Sequence, residues 1–232
     1  MPGLPQAAKA SGRRYLALWF PFFPTDRMRA MGAPLRSGAP DEPPFALVVK
    51  ERGALRLSAV DAAALRQGLS AGMTLAEARA LLPALVTRDA DADADAAALR
   101  RCAAACEMFT PLVALHGSDA LVLDITGCAH LFGGEEAMLQ RARGRFERFG
   151  LTARAAIAGT PEGASAFARF RPGAVAAPGG MEALARGLPV TALSCAPDVA
   201  QALSRAGFRT LGDLADRPSA MLAARFGTGP SA

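Results

Sequence analysis

The sequence predicts an α+β fold followed by a small all-helical region. Three observations carry this. Short apolar runs that read as strands alternate with helical stretches over roughly the first three quarters of the chain. Beyond Pro189 the strand-like runs stop, and residues 195–227 read as helix throughout. Composition then sets the core. Of 232 residues, 51% are hydrophobic but only 6% are aromatic, so Ala, Leu and Val must fill it. The order of elements suits an antiparallel-containing sheet with helices packed on one face.

The first strand is the run YLALWF at 15–20, ended by Pro21. A short helix follows at 25–31, with Thr25 or Asp26 as its N-cap. Residues 32–44 are rich in Pro and Gly and form a loop. Strands at 45–50 and 54–59 flank Arg52-Gly53, a hairpin signal. Helices follow at about 60–67 and 74–82, split by GLSAGM. Thr74 with Glu77 three residues on reads as a capping box. Acids in DADADAD, residues 89–95, suit the start of a helix that runs to about 109, where they face the positive dipole end. Strands at 111–116 and 119–125, a helix at 135–149, a strand at 153–158 and a helix at 161–169 complete the mixed part. The C-terminal helices lie at 196–206 and 210–215, separated by a turn at Gly207, and a last helix starts at Pro218.

Several function classes are excluded. No apolar run approaches the roughly 18 residues that a membrane span needs. The first residues, MPGLPQAAKASGRR, have no apolar core before a cleavage site, which argues against a secretory signal. Cys102, Cys106, Cys128 and Cys195 form no C-x-x-C pair and read as buried free thiols of a cytoplasmic protein. Net charge is +5, and all but two of the 26 basic residues are arginine. Either a nucleic-acid partner or a GC-rich genome that writes Arg for Lys accounts for that bias.

Most catalytic patterns fail on inspection. Starting at Asp91, the acidic run has Ala96 where an EF-hand needs Gly and Cys102 where it needs Glu. His116, Ser118 and Asp119 are neighbours in one strand and turn, so they cannot converge as a nucleophilic relay. AGTPEG at 158–163 lacks the Gly-Lys-Ser/Thr of a phosphate loop, Gly133-Gly134 reads as a turn, and His130 stands alone. QALSRAGF at 201–208 lacks the terminal hydrophobic-aromatic pair of a clamp-binding segment.

Five segments in order carry a resemblance: LALWFPFF, LSAVDAAALRQGLSAGMTLAEARALLP, ALVLDITGCAHLFGG, LTARAAIAGTPEGAS and AGFRTLGDLADRPSAMLAARFG. Together, over about residues 13–227, they resemble the Y-family (UmuC/DinB-like) lesion-bypass DNA polymerase superfamily, and within it the ImuB-like branch of mutasome proteins. The resemblance implies a polymerase-like palm with a ferredoxin-like antiparallel sheet and helices on one face. It places the palm at 13–32 and 92–178, a small α/β fingers insert at 33–91, and a helical thumb with a helix-hairpin-helix-like segment at 181–232. It further implies that the chain ends short of the little-finger domain of its relatives, as a truncated form.

In that family two divalent metals are held by carboxylates, because Mg²⁺ takes hard oxygen ligands. Active members read approximately D-x-D-A-F-F on the first strand and S-x-D-E-A-x-L-D on the later one. Matching Phe22-Phe23 places Leu18 and Phe20 at the two first-strand acids. Matching Leu123-Asp124 places Asp119 at the catalytic Asp, Ala120 at the Glu and Gly117 at the Ser. Asp119 is thus a vestigial catalytic residue by resemblance, or a turn residue at a strand start. Leu18 and Ala120 are degenerate catalytic positions. The fingers Tyr and Arg fall at Ala62 and Leu65, with Arg66 one place away, and Phe23 matches the aromatic gate against ribose. No Lys follows the strand at 153–158. In the thumb, SCAP at 194–197 replaces the Gly-rich hairpin, whereas Arg205, Gly207 and Arg209 mark the turn that is expected to meet DNA phosphate, or a helix end with solvated arginines.

The expected protein is a catalytically inactive polymerase-like hub of DNA damage tolerance, with no resident cofactor. By resemblance its partners are DNA, a RecA-like ImuA protein, an error-prone α-subunit-type polymerase and the sliding clamp, with no membrane. Two alternatives remain: an active, atypical error-prone polymerase using Asp119, Asp124 and Mg²⁺, and a DNA-binding fragment without partners.

Overall fold

The structure is a computed structural model and describes residues 12–30, 43–193 and 197–218. The element order is β1 (Tyr15–Trp19), α1 (Phe23–Ala30), β2 (Phe45–Glu51), β3 (Ala54–Val60), α2 (Ala62–Arg66), α3 (Leu75–Leu81), β4 (Val86–Asp89), α4 (Ala92–Cys106), β5 (Val113–His116), β6 (Ala120–Asp124), α5 (Glu135–Glu147), β7 (Arg154–Ala158), α6 (Pro161–Phe170), α7 (Met181–Ala185), α8 (Pro197–Arg205) and α9 (Leu211–Ala215). Single 3₁₀ turns lie at Ala129–Phe132 and Val190–Ala192. The larger sheet has the order β5-β6-β1-β7, the strand order of a ferredoxin-like fold, and β2, β3 and β4 form a second sheet of order β3-β2-β4. The Phe20 N–H donates to the Asp119 carbonyl at 2.8 Å, and the Ile125 N–H donates to the Arg14 carbonyl at 2.9 Å. Opposite ends of β1 and β6 therefore pair, so the two strands run antiparallel.

The chain divides into two compact units, one of residues 1–18, 122–139 and 155–232, the other of residues 19–121 and 140–154. In the second unit the smaller sheet is built on the predicted hairpin. Arg52 and Gly53 both have positive φ, 50° and 81°, the primed-turn geometry that matches strand twist. β2 then pairs in parallel with β4, from Phe45 opposite Val86 to Val48 opposite Asp89. The sequence reading contains no β4; its four residues show no apolar alternation and are held by the pairing itself. Ala46, Val48, Leu57, Ala64, Leu69, Ala78 and Leu85 form the core of this module, and the Thr74–Glu77 capping box closes the start of α3.

Helix α1 begins at Phe23, two residues before the predicted start, and neither Thr25 nor Asp26 caps it. The Thr25 hydroxyl instead donates to the Phe22 carbonyl, and Asp26 accepts the Thr152 N–H at 2.7 Å. Pro24 suits a first helical turn, where its missing N–H costs nothing. Two buried arginines on α1 hold the ends of the inserted module. Arg27 pairs with Asp95 of α4 at 2.5 Å, and Arg29 pairs with Asp61, the N-cap of α2. The Arg29 guanidinium also stacks over the Phe45 ring, 5.6 Å from its centroid. Helix α4 opens on Asp91, whose carboxylate accepts the Ala94 N–H, and it ends at Cys106 rather than near residue 109. Cys106 is buried, Cys102 and Cys128 half-buried, and all three are free thiols. Burial pushes the Cys102 thiol up to about 11 and Cys106 up to about 12, so both stay protonated at neutral pH. Cys195 lies outside the described residues.

In the first unit, Arg14 plays the corresponding part. Its guanidinium forks onto both carboxylate oxygens of Glu135, at 2.6 and 2.5 Å, and donates to the Ala176 carbonyl at 2.7 Å. The C-terminal helices close on Val190, Leu203 and Leu214, with Val199, Phe208 and Leu211 packed around them. A Cβ on Gly212 would stand 3.1 Å from the Arg186 carbonyl, so a side chain there would require that backbone to give by a few tenths of an ångström. Helix α7 was not anticipated, and the helix expected from Pro218 lies outside the described residues. Among the described residues no helix is long and apolar enough to cross a membrane.

Arg29→Ala leaves Asp61 buried without its partner and is expected to cost about 3–5 kcal/mol. Urea unfolding followed by the fluorescence of Trp19, which belongs to the same unit, measures it. Asp26 gives a pH dependence. Burial holds its carboxyl above the ordinary 3.8, against the Thr152 N–H bond and Arg29, which pull it down. The folded state keeps this proton after the unfolded chain has released it, so this group's contribution to stability falls as pH rises from near 3.8 through the raised value. Asp26→Asn keeps an acceptor for Thr152 and removes the titration. Its stability relative to the parent should rise with pH across that window and then level off; a constant difference between acid and neutral pH would exclude the assignment.

Candidate functional site

The expected catalytic positions gather where β1 ends and β6 begins. Leu18 and Phe20 are fully buried, and Ala120 is 2% exposed. Phe20 packs on Phe23 and, edge-on, on Phe146, with ring centroids 5.6 and 5.1 Å apart. The strand end that would carry metal-binding acids is therefore core, filled by apolar side chains. Asp119 closes the tight turn between β5 and β6, where Gly117 adopts a φ of 68°. Its carboxylate accepts the Trp19 indole N–H at 2.8 Å. Arg154 stands over the Trp19 ring, 5.3 Å from its centroid. Trp19 and Arg154 were not singled out from the sequence. The signal available was that Trp19 is the only tryptophan and sits between the two degenerate acid positions.

A cleft of about 670 Å³ opens beside this turn, lined by Phe22, Val60, Leu65, Leu115, Ser118 and Asp119 among others. Leu65, at a fingers position expected to contact triphosphate, is half-exposed and faces this cleft with no charge to offer. Ala62 opens α2, whose Asp61 cap is committed to the Ala64 N–H and to Arg29. Arg66 is exposed at the end of α2 and is not among the residues lining the cleft. Phe23 does not line this cleft either. It is wholly buried between Phe20 and the helices behind it.

Two Mg²⁺ ions need several carboxylates converging on one point. Here Leu18, Phe20 and Ala120 offer no oxygen, and Asp119 is engaged by Trp19. Asp124 turns back on its own chain, its carboxylate accepting the Thr126 N–H at 3.0 Å. Among the described residues no group of three or more His, Cys, Asp or Glu could hold a metal ion. The residues present do not fit a two-metal centre.

The segment 158–163 caps and starts α6. Thr160 accepts the Gly163 N–H, and Pro161 takes the first turn. A Cβ on Gly163 would meet the Met181 sulfur at 2.6 Å, so this glycine serves close packing against α7. In the thumb region Arg205 ends α8, Gly207 turns with φ 90°, and Arg205 and Arg209 are both exposed. The backbone donors that would greet a phosphate are already used. The Arg209 and Thr210 N–H groups both donate to the Asp213 carboxylate at 2.9 Å, which holds that carboxyl below its ordinary range. The sequence carried this signal as Thr210-x-x-Asp213, a capping box. Any phosphate contact at this turn falls to the Arg205 and Arg209 side chains. Residues 194–196 of SCAP lie outside the described residues.

Comparison with known proteins agrees across sequence and fold. The family described as impB/mucB/samB matches residues 41–168. Protein ImuB of Caulobacter vibrioides is 47% identical over 161 residues, which are 69% of this chain and 35% of that protein. The chain thus spans about a third of the length of the curated relatives it matches. Among solved structures, DinB from Sulfolobus solfataricus superposes with a TM-score of 0.77 at 16% identity, covering 93% of this chain and 63% of that one. An insertion ternary complex of Dbh DNA polymerase gives 0.78 at 16% identity, covering 93% and 64%. These likenesses establish the fold: a polymerase-like palm with its fingers and helical thumb.

The Trp19–Asp119 bond is a charge-assisted contact at the rim of the cleft. Trp19→Phe should cost roughly 1–2 kcal/mol, whereas Asp119→Asn, which keeps an acceptor, should cost less than about 1 kcal/mol. Chemical denaturation of both variants checks the order, and equal losses would remove the structural role given to Asp119.

Proposed function

Since the chain belongs to the impB/mucB/samB family of Y-family polymerase-like proteins, we propose that it serves DNA damage tolerance without catalysing nucleotide addition. Its work would be that of an accessory hub in a damage-induced mutasome. The observation that carries this reading is the acid-free end of β1. Leu18 and Phe20 stand where a polymerase needs metal ligands, and both are packed into the core. Without that clamp the charge that develops on a transferring phosphoryl group has nothing to stabilise it. A single carboxylate, already bonded to an indole, does not replace it.

In this reading residues 13–32 and 92–178 form the palm, 33–91 the fingers insert and 181–232 the thumb. Primer-template DNA is the nucleic-acid partner, met in part through Arg205 and Arg209. A RecA-like ImuA protein, an error-prone α-subunit-type polymerase and the sliding clamp are the protein partners, brought in by the kinship with ImuB. The matched segment is 35% of the length of those relatives, so these partners are carried over as proposals from proteins that the chain covers only in part.

A lesion-bypass assay tests the reading. The chain alone, with Mg²⁺ or Mn²⁺, should give no template-dependent primer extension. Added to an α-subunit-type polymerase and clamp on a lesion-bearing template, it should raise bypass. Extension by the chain alone that disappears in Asp119→Ala would establish the active-polymerase alternative, and an unchanged bypass yield would remove the hub.

A further inference from the structure

The unit that holds α1, α4 and the end of α5 carries a second cleft, apart from the one beside the β5–β6 turn. It measures about 430 Å³. Phe23, Ala98, Phe146 and Leu151 form its buried apolar floor. Phe149, just past α5, stands at its edge and is 59% exposed. Half-buried Cys102 lines the α4 side as a protonated thiol and adds no charge.

The rim is basic. Arg101 on α4 is exposed, and Arg145 on α5 lies over the Phe149 ring, 5.8 Å from its centroid. Arg27 also lines the cleft but is committed to Asp95. Neither Arg101 nor Arg145 is paired with a carboxylate among the described residues. The Arg145 Nε is moreover buried without an acceptor. A buried donor left unmet is a cost that an incoming acceptor removes.

An apolar depression with an exposed aromatic edge and uncompensated guanidinium groups has a definite complement. It suits a peptide that offers a Leu or Phe anchor with carboxylates on either side. We propose that this cleft docks an acidic, apolar-anchored segment of a partner protein. The anchor enters between α4 and α5, and its flanking carboxylates pair with Arg101 and Arg145. A nucleic-acid strand fits less well, because phosphates would satisfy the arginines while the floor offers bases no polar partner. None of Leu18, Phe20, Asp119 or Ala120 lines this cleft, so the inference stands or falls separately from the catalytic reading.

Fluorescence anisotropy of the full chain tests it with three short labelled peptides. One carries Leu and Phe flanked by Asp and Glu, one has the acids replaced by Asn and Gln, and one has Leu and Phe replaced by Ala. The first should bind, and each of the other two should bind at least about tenfold more weakly. Arg101→Glu and Phe149→Ala, both at exposed positions, should each weaken the first peptide by about tenfold while leaving the thermal unfolding midpoint unchanged. Several results would overturn the proposal: no binding of the acidic peptide, equal binding of the neutral one, or unchanged affinity in both variants. Two more would assign the cleft elsewhere and so overturn it as well. These are displacement of the peptide by a single-stranded oligonucleotide of equal length, and a dimer of the chain that Arg101→Glu dissociates.

Discussion

The two ion pairs made by α1 are the constraint on which the second unit depends. Residues 43–91 leave the polymerase-like core and return to it, and a loop of that kind has no inherent reason to keep one orientation. Arg29 holds the outgoing end through Asp61 and the Phe45 ring, and Arg27 holds the returning end through Asp95. Both arginines are buried, so neither pair is weakened by solvent as a surface pair would be. Desolvating four charges is expensive, and the gain over a well-packed apolar contact is small. What the pairs add is specificity. Asp61 can cap α2 and receive Arg29 only when the module sits in one position, and Asp95 can meet Arg27 only when α4 starts at Asp91.

Where β1 ends and β6 begins, the structure is held by apolar packing rather than by charge. In a two-metal site the carboxylates at a strand end repel one another and are stabilised by the ions they hold. Here Leu18, Phe20 and Ala120 are buried apolar side chains, so no such repulsion arises and the core continues through that strand end. Asp119 has a structural partner of its own. Its carboxylate fixes the Trp19 indole, and Trp19 in turn carries Arg154 over its face. The turn between β5 and β6 is thus tied to the end of β1 by a side-chain hydrogen bond.

Much of this architecture was legible in the residues. The hairpin followed from Arg52-Gly53, because Gly53 takes a positive φ without steric cost. The α3 start followed from Thr74 and Glu77, and the apolar nature of β1 from YLALWF alone. What stayed hidden depends on tertiary partners. Strand β4 exists because β2 offers an edge, not because Val86–Asp89 alternates. The start of α1 moved because Asp26 was drawn to Thr152 instead of capping its own helix. Arg14, Arg27 and Arg29 look in sequence like any other members of an arginine-rich chain, and nothing local names Glu135, Asp95 or Asp61 as their partners.

Those same arginines change the meaning of the net charge. A basic, arginine-rich composition invites a nucleic-acid reading, yet the buried guanidinium groups of Arg14, Arg27 and Arg29 are spent on internal carboxylates and carbonyls. At the turn after α8, Asp213 takes the Arg209 and Thr210 N–H groups, which are thereby not offered to an outside acceptor. The arginines left uncompensated at Arg101 and Arg145 sit over an apolar floor, a setting that favours a protein surface over a nucleic-acid backbone. Charge counted along the chain therefore overstates how many guanidinium groups are left for an outside partner. Counted residue by residue, it describes a polymerase-like core whose buried arginines hold the fold and whose exposed arginines divide between internal partners, as at Arg186, and none among the described residues, as at Arg101.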